Sequence, residues 1–272
     1  DDRMFTDTGA LFEIQRGDWR FEFDELEVPQ LQAIAWNAAG TFVVGVVGTG
    51  IAAYDPIARR MVYEKTAADL GARGQPSWSP DGRRCVYRSF AVPPAPDELL
   101  FVDGDTGRVL GVEVPSSPRT HHLVWGPSGS LAVVSYVHHV GRPSTQHRVD
   151  VFRDGARRTV IDLGAHSIQA SSGVVDAHGL AWSPAEDGLA LLLDEQVVQV
   201  VDPASGRVRA SFAAPAPAIP AGLPDHYAAG QGGLPGALMW MQGQHLIRIA
   251  PHFVSLWTMD GAKVAEFVVP TT

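Results

Sequence analysis

Short apolar runs and tight turns alternate along this chain, and one unit of this kind is repeated five times. Each copy has a short apolar run, a Trp, a tight turn and a second apolar run. The first run, the Trp and the turn of the five copies span residues 33–40, 76–82, 123–129, 180–188 and 237–243, and the second run follows each of them. The second runs are rich in Val, Leu and Tyr, which favour strands. The pattern therefore predicts a β-hairpin in every copy.

A third and a fourth apolar run follow each hairpin, separated by a turn with Asp and usually Gly. Asp103-Gly-Asp-Thr-Gly107 and Asp202-Pro-Ala-Ser-Gly206 are two of these turns. Each unit therefore predicts four strands, which we call a to d. The first two steps between repeated Trp residues are close to the roughly 40–45 residues of a propeller blade, and the last two are longer. We expect the repeated Trp to pack between neighbouring units.

Two copies, Ser77-Trp-Ser-Pro-Asp-Gly82 and Ala181-Trp-Ser-Pro184, resemble the WD-like propeller repeat of TolB-type proteins, and the resemblance spans about residues 33–269. It implies an all-β fold, a single β-propeller domain of residues 1–272. We predict five four-stranded blades at residues 33–65, 75–114, 120–163, 178–212 and 235–269, preceded by an N-terminal hairpin at 9–29. Six blades, with this hairpin completing a partial one, is the alternative.

The resemblance also implies where ligands would bind. In such a propeller, strand a lines the central channel, and the d-to-a and b-to-c loops emerge together on one face, the top face. The long connections of this chain fall there, at residues 66–75, 91–97, 138–147, 164–179 and 213–236. Long loops on a rigid scaffold often carry binding residues. The candidate binding residues are His121, His122, His138, His139, His147, His166, His178, Asp176 and His226.

Five of these histidines belong to the third repeat. His121 and His122 begin its strand a, and His138, His139 and His147 flank its b-to-c loop. Because imidazole is a common ligand of divalent metals, one hypothesis is a metal held by His121, His138 and His147, with Asp176 or Asp225 in addition. Such a metal could activate water. The alternative is that these histidines are solvated or bonded to backbone, with no cofactor required.

Charge and cysteine content narrow the possible partners. The net charge of −9 disfavours nucleic acid binding, which needs clustered Lys and Arg. No apolar run is long enough to span a membrane. The single cysteine, Cys85, excludes an intrachain disulfide and favours a cytoplasmic protein, with a secreted or periplasmic mature form as the alternative. We expect Cys85 to be buried and inert, and Trp257 to be exposed.

No strong catalytic motif is present, so the leading interpretation is a non-enzymatic binding or scaffolding propeller that docks a protein or peptide on its top face. One alternative is a metal-dependent hydrolase or lactonase-type enzyme that uses the histidines. A second is a glycan-binding or glycan-processing propeller, which needs carboxylates. Its candidates are Asp97, Glu98, Asp176 and Asp225.

Overall fold

The computed structural model describes residues 3–5, 11–15, 18–22, 32–36, 40–47, 49–55, 57–58, 60–70, 76–89, 95–138, 145–164, 166, 168, 179–194, 196–214, 237–241, 245–250 and 253–268. The chain divides into two compact units, Asp1–Val114 and Pro115–Thr272. Within the described residues, all regular structure except one short helix is β-strand. The prediction of a single domain stays a prediction.

The first unit contains one three-stranded and two four-stranded sheets. The three-stranded sheet has β1 (Arg3–Phe5), β2 (Leu11–Gln15) and β3 (Asp18–Glu22). The first four-stranded sheet has β4 (Gln32–Trp36), β5 (Val43–Val47), β6 (Gly50–Asp55) and β7 (Arg60–Lys65). After helix α1 (Ala67–Leu70), the second has β8 (Pro76–Trp78), β9 (Arg84–Ser89), β10 (Glu98–Asp103) and β11 (Val109–Glu113).

The second unit contains three four-stranded sheets. The third sheet has β12 (Arg119–Trp125), β13 (Leu131–His138), β14 (Thr145–Arg153) and β15 (Ala156–Asp162). The fourth has β16 (Leu180–Trp182), β17 (Leu189–Leu193), β18 (Val197–Val201) and β19 (Val208–Ala213). The fifth has β20 (Ala237–Met241), β21 (His245–Ala250), β22 (Phe253–Thr258) and β23 (Lys263–Val268).

Every four-stranded sheet is antiparallel, with its strands side by side in chain order. The five such sheets among the described residues match the five predicted four-stranded units. The predicted N-terminal hairpin corresponds to β2 and β3, and it gains β1, which the sequence did not predict; the other residues of the predicted range 9–29 lie outside the described part. We call the end of each sheet where its first strand begins and its second strand ends the top end, and the opposite end the bottom end.

Neighbouring sheets pack through apolar side chains within each unit. Val44, Ile51, Trp78 and Tyr87 belong to a core shared by the first and second sheets. The third and fourth sheets share a second core, and the fourth and fifth sheets share a third. The alternation of apolar and polar positions therefore places one or both faces of each sheet against a neighbour.

The repeated Trp joins neighbouring sheets by hydrogen bonds in the second unit. The Trp182 indole nitrogen donates to the carbonyl oxygen of Val124 at 3.0 Å, and that of Trp240 donates to the carbonyl oxygen of Ala181 at 2.9 Å. Each bond runs from the first strand of one sheet to the first strand of the preceding sheet. The expectation that the repeated Trp packs between units is confirmed at these two positions.

The bottom turns are closed by their own short polar side chains. The Asp103 carboxylate accepts hydrogen bonds from the Thr106 amide and hydroxyl, and the Asp202 carboxylate accepts from the Ala204 and Ser205 amides. These bonds satisfy backbone donors that the strands leave unpaired. The residues that separate the third run from the fourth in the sequence therefore form the predicted turns.

Two predicted loops are partly regular. Strands β13 and β14 continue to His138 and from Thr145, so only residues 139–144 of the predicted loop 138–147 lie outside the described residues. In the predicted loop 66–75, α1 begins after Thr66, because the Thr66 hydroxyl accepts from the Asp69 amide and the Asp69 carboxylate accepts from the Thr66 amide.

Two expectations about single residues have opposite outcomes. Cys85 is fully buried, so the prediction of a buried cysteine is confirmed, and burial raises the pKa of its thiol, which agrees with the expected low reactivity. The prediction of an exposed Trp257 is wrong. Its ring is buried against the fourth sheet, stacks on Phe212, and donates its indole N–H to the Ser255 hydroxyl. Residues of β22 alternate between the two faces of the fifth sheet, and this alternation places Trp257 on the face that packs against the fourth sheet.

We expect Gly104→Ala to lower the free energy of unfolding by about 2 kcal/mol, because overpacking a close contact forces the backbone apart. A Cβ on Gly104 would lie 2.0 Å from the carbonyl oxygen of Gly82. Gly111→Ala is the matched control, since nothing lies within 4 Å of a Cβ there. Urea denaturation measures both changes. Equal effects of the two substitutions would contradict the close approach.

Candidate functional site

The top end of the third sheet projects beyond its own first strand. β12 begins at Arg119, which pairs with Tyr136, and Tyr136 pairs in turn with His147 on β14. Beyond this row, β13 and β14 continue through two more residue pairs, ending with His138 and Thr145. These two strands are the longest that the described residues contain. The hairpin therefore presents an extension at the end where the sequence placed the binding face.

His122, Tyr136 and His147 lie on the same face of this sheet. His122 pairs with Val134, two residues before Tyr136 on β13, so the strand period places all three on one side. The rings of Tyr136 and His147 stack with their centroids 5.9 Å apart. His147 is buried and His122 is half-buried. Two of the predicted histidines are therefore brought to one face beside an aromatic ring that the sequence did not single out.

The structure describes less of the other predicted site residues. His121 lies at a bulge in β12, and His138 pairs with Thr145; only their backbone positions are described. His139, Asp176, His178 and His226 lie outside the described residues, as does Asp225. Within the part of the chain that the structure describes, no three His, Cys, Asp or Glu side chains are arranged to hold a metal ion. The metal site at His121, His138 and His147 stays a prediction.

His166 connects the third and fourth sheets at their top ends. Its Nδ1 lies 2.6 Å from a carboxylate oxygen of Asp194, which occupies the turn between β17 and β18. Both side chains are about half exposed. Asp194 adopts a left-handed backbone conformation, with φ of 49°. The predicted histidine therefore reaches a polar, solvent-facing position, where the contact with Asp194 orients its ring.

A buried carboxylate lies on the opposite face of the third sheet. Asp150 is fully buried and accepts hydrogen bonds from the Ser116 amide at 3.0 Å, the Ser116 hydroxyl at 2.9 Å and the Ser135 hydroxyl at 2.8 Å. A guanidinium nitrogen of Arg157 lies 3.6 Å away. Because only two residues separate Ser116 from the start of β12, Asp150 fixes the segment that leads into Arg119 at the top end.

A second buried carboxylate joins the third and fourth sheets at their bottom ends. Glu186, in the turn after β16, accepts a hydrogen bond of 2.6 Å from the Ser128 amide, in the turn after β12. Burial alone would raise the pKa of Glu186, but hydrogen bonds from Ser128 and Ser130 outweigh burial and lower it. Glu186 therefore acts as an ionised acceptor that fixes one bottom turn against the next.

The structure also shows what the sequence analysis missed. Asp150 and Glu186 were not among the candidate residues. A charged residue between Val149 and Val151 in an apolar run is the signal for the first. The signal for the second is the extra residue in the turn of the fourth repeat. In that turn the Glu186 amide donates to the carbonyl oxygen of Ser183, as the Gly82 amide donates to the carbonyl oxygen of Ser79 in the second repeat.

Comparison with known proteins identifies the architecture. A structure titled "Crystal Structure of Mitotic Checkpoint Complex" matches with a TM-score of 0.52 and 14% identity, covering 89% of this chain and 64% of that one. BamB from Moraxella catarrhalis matches with a TM-score of 0.53 and 12% identity, covering 86% and 62%. Both are propeller-type folds. The fold is a β-propeller.

A third solved propeller matches over nearly the whole chain. The dihydro-heme d1 dehydrogenase NirN, in complex with DHE, has a TM-score of 0.57 and 14% identity, covering 98% of this chain and 53% of that one. The chain thus spans between 53% and 64% of the length of these three solved chains. No protein-family model matches the sequence, and no curated protein does.

The propeller assignment gives the described sheets their roles as blades. β12, β16 and β20 are strand a of three successive blades, and the Trp182 and Trp240 bonds join these strands. The predicted all-β propeller is therefore confirmed as a fold class. Among the described residues, no helix has the length and apolar character needed to cross a membrane.

Proposed function

We propose that this propeller is a binding or scaffolding protein that docks a protein or peptide partner on its top face, with the third blade as the main contact. The observation that carries the proposal is the extended β13–β14 hairpin, which begins its extension at the row of Arg119, Tyr136 and His147. Arg and Tyr are the residue types that most often dominate protein interfaces. Gln146, on the other face of the same hairpin, and His166 are exposed at this top end as well.

Two features of the site support binding by a preformed surface. The Tyr136 and His147 rings stack on each other, and the Asp150 network fixes the chain just before Arg119. Side chains that are held before a partner arrives lose less conformational entropy on binding. One of the structural neighbours belongs to a structure titled as a complex, which agrees with a binding role. Because another is a dehydrogenase, the fold alone does not decide function.

The proposal predicts that peptides selected on this chain bind at the top end. A phage-displayed library of random linear peptides is selected on the immobilised chain, and the enriched peptides are titrated by fluorescence anisotropy. We expect the double variant Gln146→Arg and His166→Arg to weaken their binding by about tenfold or more, because two long cations obstruct the surface.

The matched control is the double variant Ala204→Arg and Ser205→Arg, which adds the same charge at exposed positions of the bottom end of the fourth blade. We expect it to leave the dissociation constant unchanged. Equal loss of affinity in both variants, or a selection that enriches no peptide over the empty support, would overturn the proposal.

The metal-dependent hydrolase and the glycan-binding propeller stay predictions. For the first, His122 and His147 share a face, but the described residues contain no group of three His, Cys, Asp or Glu side chains that could hold a metal ion. For the second, Asp97 is buried and Glu98 is exposed at the top end of the second blade, while Asp176 and Asp225 lie outside the described residues.

A further inference from the structure

The contact of His166 with Asp194 joins two segments that are each fixed by their own blade. His166 lies in the turn after β15, and its amide donates to the carbonyl oxygen of Leu163 at 3.0 Å. Leu163 and Ile168, on either side of it, are buried in the core between the third and fourth sheets. The His166 ring therefore stands at a defined position, from which it reaches the neighbouring blade.

Asp194 approaches the same contact from a backbone conformation that few side chains adopt. It follows the buried Leu193 in the turn between β17 and β18, with φ of 49°. Asp and Asn occupy this left-handed region more often than most residues other than Gly. The turn thus places a carboxylate 2.6 Å from the Nδ1 atom of His166. Both partners of the contact are held before they meet.

The surroundings of the contact decide which groups change charge near neutral pH. Arg148 and Asp162 of the third sheet lie 3.7 Å from each other, and Asp162 also accepts a hydrogen bond from the Gly164 amide. Arginine, carboxylate and tyrosine side chains ordinarily keep one charge state from about pH 5.5 to 8, whereas imidazoles gain or lose a proton there. Besides the pair itself, the titratable and charged side chains described at the top ends of these two sheets are Arg119, His122, Tyr136, His147, Arg148 and Asp162.

We propose that His166 and Asp194 form a pH-sensitive contact between the third and fourth blades, which strengthens as His166 gains a proton and thereby strengthens peptide binding at the top end. A neutral imidazole contributes one hydrogen bond, and an imidazolium adds the attraction of opposite charges. The effect on binding rests on the proposed function. It follows because a tighter contact holds the top ends of two blades in place before the partner arrives.

A double-mutant cycle, measured by urea denaturation at about pH 5.5 and about pH 8, tests the contact itself. The variants are His166→Gln, Asp194→Asn and the two combined. Asn also adopts the left-handed conformation, so the substitution removes the charge and keeps the turn. We expect a coupling of about two- to fivefold in the equilibrium constant of unfolding at the lower pH, and a smaller one at the higher pH.

The matched control is the cycle of Arg148→Gln and Asp162→Asn, an exposed pair at the same end that contains no histidine. Its coupling should be equal at the two pH values. Histidines outside the His166 pair, such as His147, are present in all four members of the first cycle, so their titration cancels. A His166 coupling that is equal at the two pH values, or larger at the higher one, would overturn the proposal.

Peptide binding tests the consequence for the top face. Selected peptides that contain no histidine are titrated against the wild-type chain at the same two pH values, and we expect their affinity to be up to about fivefold higher at the lower one. Asp194→Asn should abolish this difference. Equal affinity of the wild-type chain at both values would refute the regulation of binding. Failure of the selection to enrich any peptide would refute the proposed function, while the double-mutant cycle would still decide on the contact.

Discussion

Asp150→Ala is expected to lower the free energy of unfolding by about 3–5 kcal/mol, because it removes the buried carboxylate and leaves the groups that bind it without an acceptor. The carboxylate is completely buried, and its loss removes the acceptor of the Ser116 amide, the Ser116 hydroxyl and the Ser135 hydroxyl. It also leaves Arg157 without its buried counter-ion. Chemical denaturation followed by circular dichroism measures the change.

Asp162→Ala is the control for this prediction, because it removes a carboxylate from the same sheet in an exposed pair. Asp162 lies 3.7 Å from Arg148, and its side chain is 64% exposed. We expect a change of about 0.5 kcal/mol or less there. If Asp150→Ala is too unstable to purify, Ser135→Ala, which removes one donor, should cost about 1 kcal/mol. A cost for Asp150→Ala no larger than that of the control would contradict the buried network.

Glu186→Ala is expected to lower the free energy of unfolding by about 3 kcal/mol, and Glu186→Gly by about 1 kcal/mol less. Both remove the charged acceptor of the Ser128 amide, which stabilises the turn. They differ because the backbone of Glu186 is left-handed, with φ of 53°, a conformation that costs Ala more than Gly. Gly82 occupies the corresponding position of the second blade with φ of 64°. Equal losses in the two variants would contradict the strained turn.

The stabilisation by Glu186 should depend on pH. Because its pKa is lowered in the folded chain, its contribution is fully present above the ordinary carboxyl pKa and is lost as pH falls through the folded-state pKa. The difference in unfolding free energy between wild type and Glu186→Ala should therefore be constant near neutral pH and shrink in acid. Measuring this difference cancels the other carboxylates, which titrate in both proteins. A difference that grows in acid would contradict the ionised hydrogen-bonded carboxylate.

The fold could be predicted because its signal is local and repeated. A Trp, a turn and alternating apolar residues recur in each blade, and strands that pair with their immediate neighbours in the chain need no long-range information. The strand β1 was missed because residues Arg3–Phe5 are too few for a visible alternation. The extension of β13 and β14 lies in a segment whose sequence predicts a loop, because His138 and Gln146 are not typical strand residues.

The candidate site was only partly predictable. Strand pairing deduced from the sequence is enough to place His122 and His147 near each other, because both lie on the same face of one sheet. The contact of His166 with Asp194 joins two blades, and no spacing within one repeat indicates it. Asp150 and Glu186 also act across segments distant in the chain, so their partners become visible only when the sheets are placed side by side.

The Trp bonds between blades also set an order in which the chain can be completed during synthesis. The carbonyl oxygen of Val124 receives its indole donor from Trp182, and that of Ala181 from Trp240, each nearly sixty residues later. The third and fourth blades therefore each receive one inter-blade hydrogen bond only once the following blade has been synthesised. In repeat architectures, contacts between neighbouring units add to the stability of each unit, so the last completed blade gains this contribution only when its successor is in place.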